Sequence, residues 1–112
     1  MVEKEEVVLN QLVHTQTTKM LAKNEEVKLL EKAEKGDSVS LLKLAEEGLK
    51  LSVLVSKKYK GEAELEYLIR TGFRGWILAY MHFDKTKNYK LSTYSTWWIT
   101  QEIEKYIKRA IK

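Results

Sequence analysis

Residues 83–103 read FDKTKNYKLSTYSTWWITQEI, and the spacing of the rings in this stretch decides how the rest of the chain is read. Tyr94, Trp97, Trp98 and Gln101 stand three and four residues apart, so on a helix they fall along one stripe. Hydroxyls at Ser92, Thr93, Ser95 and Thr96 interleave with the rings, Tyr89 precedes them, and Lys85, Lys87, Lys90 and Lys105 surround them. The polar turn DKTKNY, residues 84–89, offers three local side-chain caps, and Ser92 or Thr93 opens a helix that runs to the C-terminus. Such a stripe suits unpaired nucleic acid, because bases stack on aromatic rings for about 1–3 kcal/mol each while cations hold the phosphates. The competing reading is a core filled by aromatics. It is the ordinary expectation for Trp98 and for half of the other rings, since adjacent tryptophans on a helix cannot both point one way. The hydroxyls between the rings weigh against it, because a core asks for apolar bulk.

Upstream of this helix the apolar periodicity places four more. Val7, Val8, Leu12 and Val13 suggest a first helix, followed by a polar stretch over residues 14–19. A second runs from about Asn24, as N-cap, through Val27, Leu30 and Ala33 to Lys35, where Gly36-Asp37 stops it. Asp37 or Ser38 caps a third, whose apolar positions Leu41, Leu42, Ala45, Leu49, Val53 and Val55 continue to Tyr59 past an odd interior Gly48. A fourth begins near Glu62 and carries Leu65, Leu68, Ile69, Trp76, Ala79, Tyr80 and Phe83, with Gly72 and Gly75 permitting a close helix crossing. With no proline, only five glycines and many helix formers among 112 residues, the chain is expected to be all-α, a single compact helical bundle of about five helices.

Composition narrows the function classes. The absence of cysteine removes disulfides and thiolate metal sites and fits a reducing compartment. No apolar run spans a bilayer, and residues 1–6 are charged and acidic, so a soluble cytoplasmic protein is expected, with no membrane partner. The net charge of +4 is unevenly placed. Residues 1–56 carry eight basic and ten acidic side chains and residues 57–112 twelve and six, which is −2 against +6. A field of that sign in the second half attracts polyanions. Catalysis is not expected. His14 and His82 have no carboxylate or second histidine three or four residues away, the hydroxyls lack a base at motif spacing, and no glycine-rich phosphate loop or metal or cofactor motif is present.

Residues 83–103 resemble the segment by which primary, housekeeping-type bacterial sigma factors recognise and melt the promoter's minus-ten element. The usual family order is F-D, a basic turn, Y-K-F-S-T-Y-A-T-W-W-I, a charged residue and Q; here Leu91 replaces the phenylalanine, Ser95 the alanine and Thr100 the charged residue. Residues 20–37, MLAKNEEVKLLEKAEKGD, resemble the family's acidic helix ending in glycine-aspartate. Residues 49–59, LKLSVLVSKKY, resemble its buried helix with a basic end, and residues 67–83, YLIRTGFRGWILAYMHF, stand where the family docks on polymerase. The likeness covers the family's regions one-two through two-four. It implies one promoter-melting domain over residues 20–112 and leaves residues 1–19 as a poorly matched N-terminal segment.

The resemblance implies roles position by position. Tyr94 stacks on the adenine flipped out as melting begins, with Tyr89 beside it and Leu91, Ser92 and Thr93 walling its pocket. Trp97 and Trp98 support the junction between double and single strand, Gln101 reads a base edge at the upstream, paired end, and Lys87, Lys90 and Lys105 hold phosphates. The implied partners are promoter DNA, as the single-stranded non-template minus-ten region, and core RNA polymerase or a diverged equivalent. The chain departs from the family at three places. Gly48 stands for an asparagine that helps hold a flipped base. Glu104 stands for a threonine near the duplex. On the docking helix, the pattern D-L-I-Q-E-G-N-I-G-L is replaced by Y-L-I-R-T-G-F-R-G-W, so that Tyr67, Arg70, Thr71, Phe73, Arg74 and the following Ile77 form an aromatic and basic partner-binding face. A second reading is a sigma-like protein-interaction module, or one subunit of a two-chain sigma factor.

Overall fold

The computed structural model describes residues 20–110. They form four helices, α1 (Lys23–Glu34), α2 (Ser38–Lys57), α3 (Leu65–His82) and α4 (Leu91–Ala110). The all-α expectation holds, with four helices rather than about five among the described residues; the first helix, built on Val7 to Val13, lies outside them. None of the described helices is long and apolar enough to cross a membrane.

α4 sorts its residues into two faces. Leu91, Ser95, Ile99, Ile103 and Ile107 recur every fourth residue and are all buried, whereas Tyr94, Trp97, Trp98 and Gln101 stay half-buried or exposed. The inward face joins Leu30, Leu44, Val55, Leu68 and Trp76 in one apolar cluster. α3 crosses α4 backbone to backbone at Gly75, where a Cβ would stand 2.7 Å from the Trp98 carbonyl oxygen and 2.8 Å from the Ile99 Cα. Any side chain there pushes the ring-bearing helix away.

α2 buries a stripe that its apolar residues do not announce. Ser40, Leu44, Glu47, Gly48, Ser52, Val55 and Ser56 face inward, while Leu41 and Leu42, expected as core positions, are 39% and 64% exposed, and Val27 of α1 is 38% exposed. Of the polar members, Ser52 donates its hydroxyl to the Ile69 carbonyl at 2.6 Å, whereas the buried Ser56 hydroxyl has no hydrogen-bond partner among the described residues. Gly48 has a packing reason, since the Trp76 indole lies where its Cβ would project.

Helix starts differ from expectation at three of the four described helices. α1 is capped at Ala22, not Asn24, with the Ala22 N–H donating to Glu25 Oε1 at 2.9 Å. Asp37 caps α2 as expected, accepting from the Val39 N–H at 3.2 Å and the Ser40 hydroxyl at 2.7 Å. The Ser40 hydroxyl, with the backbone N–H groups, holds its carboxyl below the ordinary range. α3 begins at Leu65 rather than near Glu62, and α4 begins at Leu91 rather than behind a Ser92 or Thr93 cap.

Candidate nucleic-acid interface

The start of α4 is held from across the bundle. Glu26 of α1, only 2% exposed, accepts the backbone N–H of Leu91 at 2.5 Å and of Ser92 at 3.3 Å. It thereby satisfies two of the donors that a helix leaves open and sets a carboxylate at the positive end of the macrodipole. The residues before α1 are fastened to the same place, because Lys90 donates to the Leu21 carbonyl at 2.6 Å and the Leu21 N–H donates to Glu47 at 2.5 Å. Burial pushes the Glu47 carboxyl above its usual value, against the opposing pull of that N–H. Glu26 was missed by motif reading. Its signal was position, four residues before buried Leu30 on one helical face.

On this fixed start the rings form a connected surface. Tyr89 lies parallel to Tyr94 at 5.7 Å between centroids and 11° between planes, and Phe83 meets both at 5.6 and 5.5 Å. Tyr94 meets Trp98 edge-on at 6.2 Å. His82, the last residue of α3, stacks on Trp98 at 5.0 Å and 22°, with its Nδ1 2.8 Å from the Leu78 carbonyl. Trp97 stands perpendicular to Trp98 at 5.7 Å and is 61% exposed. The adjacent tryptophans diverge, as helical geometry requires, one against the histidine and one into solvent.

The other expected contacts divide by exposure. Thr93 is open and Gln101 half-buried, but the Leu91 and Ser92 side chains are 2% and 9% exposed, so they give the surface a backbone position rather than a wall. Lys87 is exposed. Lys90 is engaged by Leu21, and Lys105 pairs with Glu102 at 3.3 Å. Lys85 pairs with Glu34 at 2.7 Å, and that carboxylate raises the Lys85 pKa. Asp84 ties the turn together by accepting the Thr86 hydroxyl at 2.6 Å and its N–H at 2.9 Å. Glu104 accepts the Tyr59 hydroxyl at 2.8 Å, a bond that pushes the phenol up and turns the carboxylate toward the end of α2. Among the described residues no group of side chains has the makings of a metal site.

The expected partner face on α3 also divides. Phe73 stacks on Trp76 at 5.6 Å, and Trp76 on Tyr80 at 5.5 Å, so Phe73 is spent largely on packing. Thr71 is half-buried. The open stripe consists of Tyr67, Arg70, Arg74 and Ile77, and it extends to Met81, which sequence reading passed over. Tyr67, Ile77 and Met81 are 49%, 43% and 70% exposed, and Arg70 is paired with Glu66 at 3.0 Å.

Comparison with known proteins gives a consistent picture. The family model described as Sigma-70 region 2 matches residues 49–111. The chain is 40% identical over 89 residues to the RNA polymerase sigma factor SigA of Listeria monocytogenes serovar 1/2a, and equally to those of Listeria innocua serovar 6a and a Bacillus species. Each match covers 79% of this chain and 24% of the relative, so the chain spans about a quarter of the length of these relatives.

Proposed function

Since the chain belongs to the sigma-70 region 2 family, we propose that it serves transcription initiation without catalysing a reaction, by recognising and melting a promoter minus-ten element through α4. The observation that carries this reading is the two-sidedness of α4. One side is fully packed, and the other turns connected rings outward, with Trp97 61% exposed. In free protein an exposed tryptophan wastes apolar area that a stacked base recovers.

A flipped non-template adenine stacks on Tyr94. Tyr89 now lies parallel to that ring and Phe83 meets it at 5.5 Å, so the base stacks by displacing Tyr89. Trp98 is braced between His82 and Tyr94 and supports the end of the duplex, while Trp97 is free to pack on the first unpaired base. Gln101 lies one turn further along, where its amide can bridge adenine N6 and N7 in the paired segment. Lys87 and Lys105, the latter 62% exposed beside its Glu102 partner, are the cations proposed for phosphates. Titrating a fluorescent single-stranded oligonucleotide of minus-ten-like sequence, against a scrambled one, tests the reading. Tyr94→Ala is expected to bind at least about tenfold more weakly, and Gln101→Ala to weaken binding to a probe that keeps the upstream base pair. Wild-type affinity in both variants would end the promoter-melting reading.

The partner proposed for α3 is core RNA polymerase or a diverged equivalent. Tyr67, Arg70, Arg74, Ile77 and Met81 alternate steps of three and four, the spacing of a seam that lies along another helix. The arginines within it call for an acidic counterpart. Purified polymerase core is expected to retain the wild-type chain and to lose the Ile77→Glu, Met81→Glu double variant. Equal retention of both would remove this surface from the docking account.

A further inference from the structure

We propose that Tyr89 occupies the place of the flipped base in the free chain, and that the turn carrying it, residues 84–89, is a strap whose two bridges to α1 set how readily that place is vacated. The proposal rests on the base-capture reading above and adds the step before capture. Tyr89 lies on Tyr94 as a base would, parallel within 11° and 5.7 Å between centroids, and Phe83 meets both rings. Tyr89 is 39% exposed, so its ring is held there by the stack and not by enclosure.

The strap is stiff within and lightly held from outside. Asp84 accepts the Thr86 N–H and hydroxyl, and its carbonyl accepts the Lys87 N–H at 3.1 Å, so residues 84–87 move together. Every residue from Asp84 to Tyr89 is exposed, and beside the strap a space of about 260 Å³ opens among Leu30 and Glu34 of α1, Tyr80 and Met81 of α3, Phe83 and Lys85. Burial therefore does little to hold it. Two polar bridges tie it to α1. Lys85 donates to Glu34 at 2.7 Å, and Lys23 donates to the side-chain oxygen of Asn88, the residue before Tyr89. Lys23 and Glu34 are the first and last residues of α1, so the strap is fastened along the length of that helix.

Exposed bridges of this kind are weak singly, which suits a closure that has to open. A base stacks on Tyr94 only in the fraction of molecules whose Tyr89 has left, and the apparent dissociation constant is the intrinsic one divided by that fraction. Loosening the bridges then raises affinity although neither bridge touches a base, and fixing them lowers it. If Tyr89 were instead a fixed wall of the base pocket, the bridges would support the site, and breaking them would weaken binding. The two accounts predict effects of opposite sign.

The chain has no cysteine, so a Lys23→Cys, Asn88→Cys variant of the full chain can be joined at these two positions alone by a short bismaleimide. The same variant with both thiols capped is the open reference and carries the same charge. Binding is read by anisotropy with minus-ten-like and scrambled single-stranded oligonucleotides. The joined form is expected to bind the minus-ten-like strand at least about tenfold more weakly than the capped form. Asn88→Ala, which changes no charge, is expected to bind it about threefold more tightly than wild type. Tyr89→Ala placed in the joined form should restore binding to the level of the capped form, because the strap is then closed over a vacant seat. Equal binding by joined and capped forms, or weaker binding by Asn88→Ala, would overturn the strap. A joined form that stays weak after Tyr89→Ala would overturn Tyr89 as the occupant. The two strands test the parent reading separately: if both bind the capped form alike and joining weakens both, the minus-ten reading falls and the strap stands.

Discussion

Gly48→Asn is expected to destabilise the chain by about 2–3 kcal/mol, read as a lower urea midpoint at unchanged slope, and Trp76→Leu is expected to recover most of that loss in the double variant. A glycine inside a helix ordinarily costs about 1 kcal/mol relative to alanine, so filling the position should help if nothing stood over it. Something does: the Trp76 indole lies where a Cβ at residue 48 would project, is 4% exposed, and is packed by Phe73 and Tyr80, which stack on it from the neighbouring turns of α3. A ring so confined cannot step aside cheaply. The family order places asparagine at residue 48 and leucine at residue 76, so this chain has exchanged a large residue for a small one on α2 and a small for a large on α3. Trp76→Leu alone leaves a void and should cost about 2–4 kcal/mol. The two losses must then be strongly non-additive, with a coupling above about 1 kcal/mol. Additive losses would mean that the two positions are not a packing pair. The exchange also changes the meaning of Gly48 for DNA. Its role here is to admit a tryptophan, and the amide contact that the family pattern suggests at this position has no counterpart.

Such exchanges mark the boundary of what the sequence discloses. The outward face of α4 was legible because its rings keep helical spacing, whereas its inward face, Leu91, Ser95, Ile99, Ile103 and Ile107, was not singled out. The inward face of α2 was not legible, because Ser40, Glu47, Gly48, Ser52 and Ser56 are buried among its apolar positions. Two of them are matched on α3, Ser52 by the Ile69 carbonyl and Gly48 by the Trp76 ring, while Ser40 bonds to Asp37 beside it and Glu47 takes the Leu21 N–H from before α1. A pattern read along one helix sees only the polarity and moves the stripe onto Leu41 and Leu42. The site shows the same division. Which residues belong to the α4 surface could be read locally, but whether each is available could not. Lys90 is committed to Leu21 and Glu104 to Tyr59, partners distant in sequence, and Phe73 to Trp76, one turn along the same helix. Met81 entered the surface for the converse reason: it is 70% exposed among the described residues.

Glu26→Ala is expected to cost about 3 kcal/mol in stability and to weaken oligonucleotide binding although residue 26 touches no base. The carboxylate is 2% exposed and accepts two backbone N–H groups at the first turn of α4. Removing it leaves both donors buried without partners, at about 1–3 kcal/mol apiece, and withdraws a charge that the helix N-terminus favours. Local rescue is limited. Ser92, the nearest candidate cap, has its side chain buried within the helix, and its carbonyl already accepts the Thr96 hydroxyl at 2.8 Å. The first turn should therefore fray, loosening the register that sets Tyr94 against Tyr89. Glu26→Gln separates the two contributions, because an amide keeps one acceptor but not the charge, and it should fall between wild type and Glu26→Ala in urea titrations. Hydrogen exchange at Leu91 and Ser92 is the direct measurement: their amides should be protected in wild type and should exchange much faster in Glu26→Ala, while amides near Ile103 change only with global stability. Unchanged exchange at Leu91 and Ser92 would show that the start of α4 is held by its buried leucine alone. Faster exchange with unchanged affinity for the minus-ten-like strand would show that base capture does not need an ordered first turn.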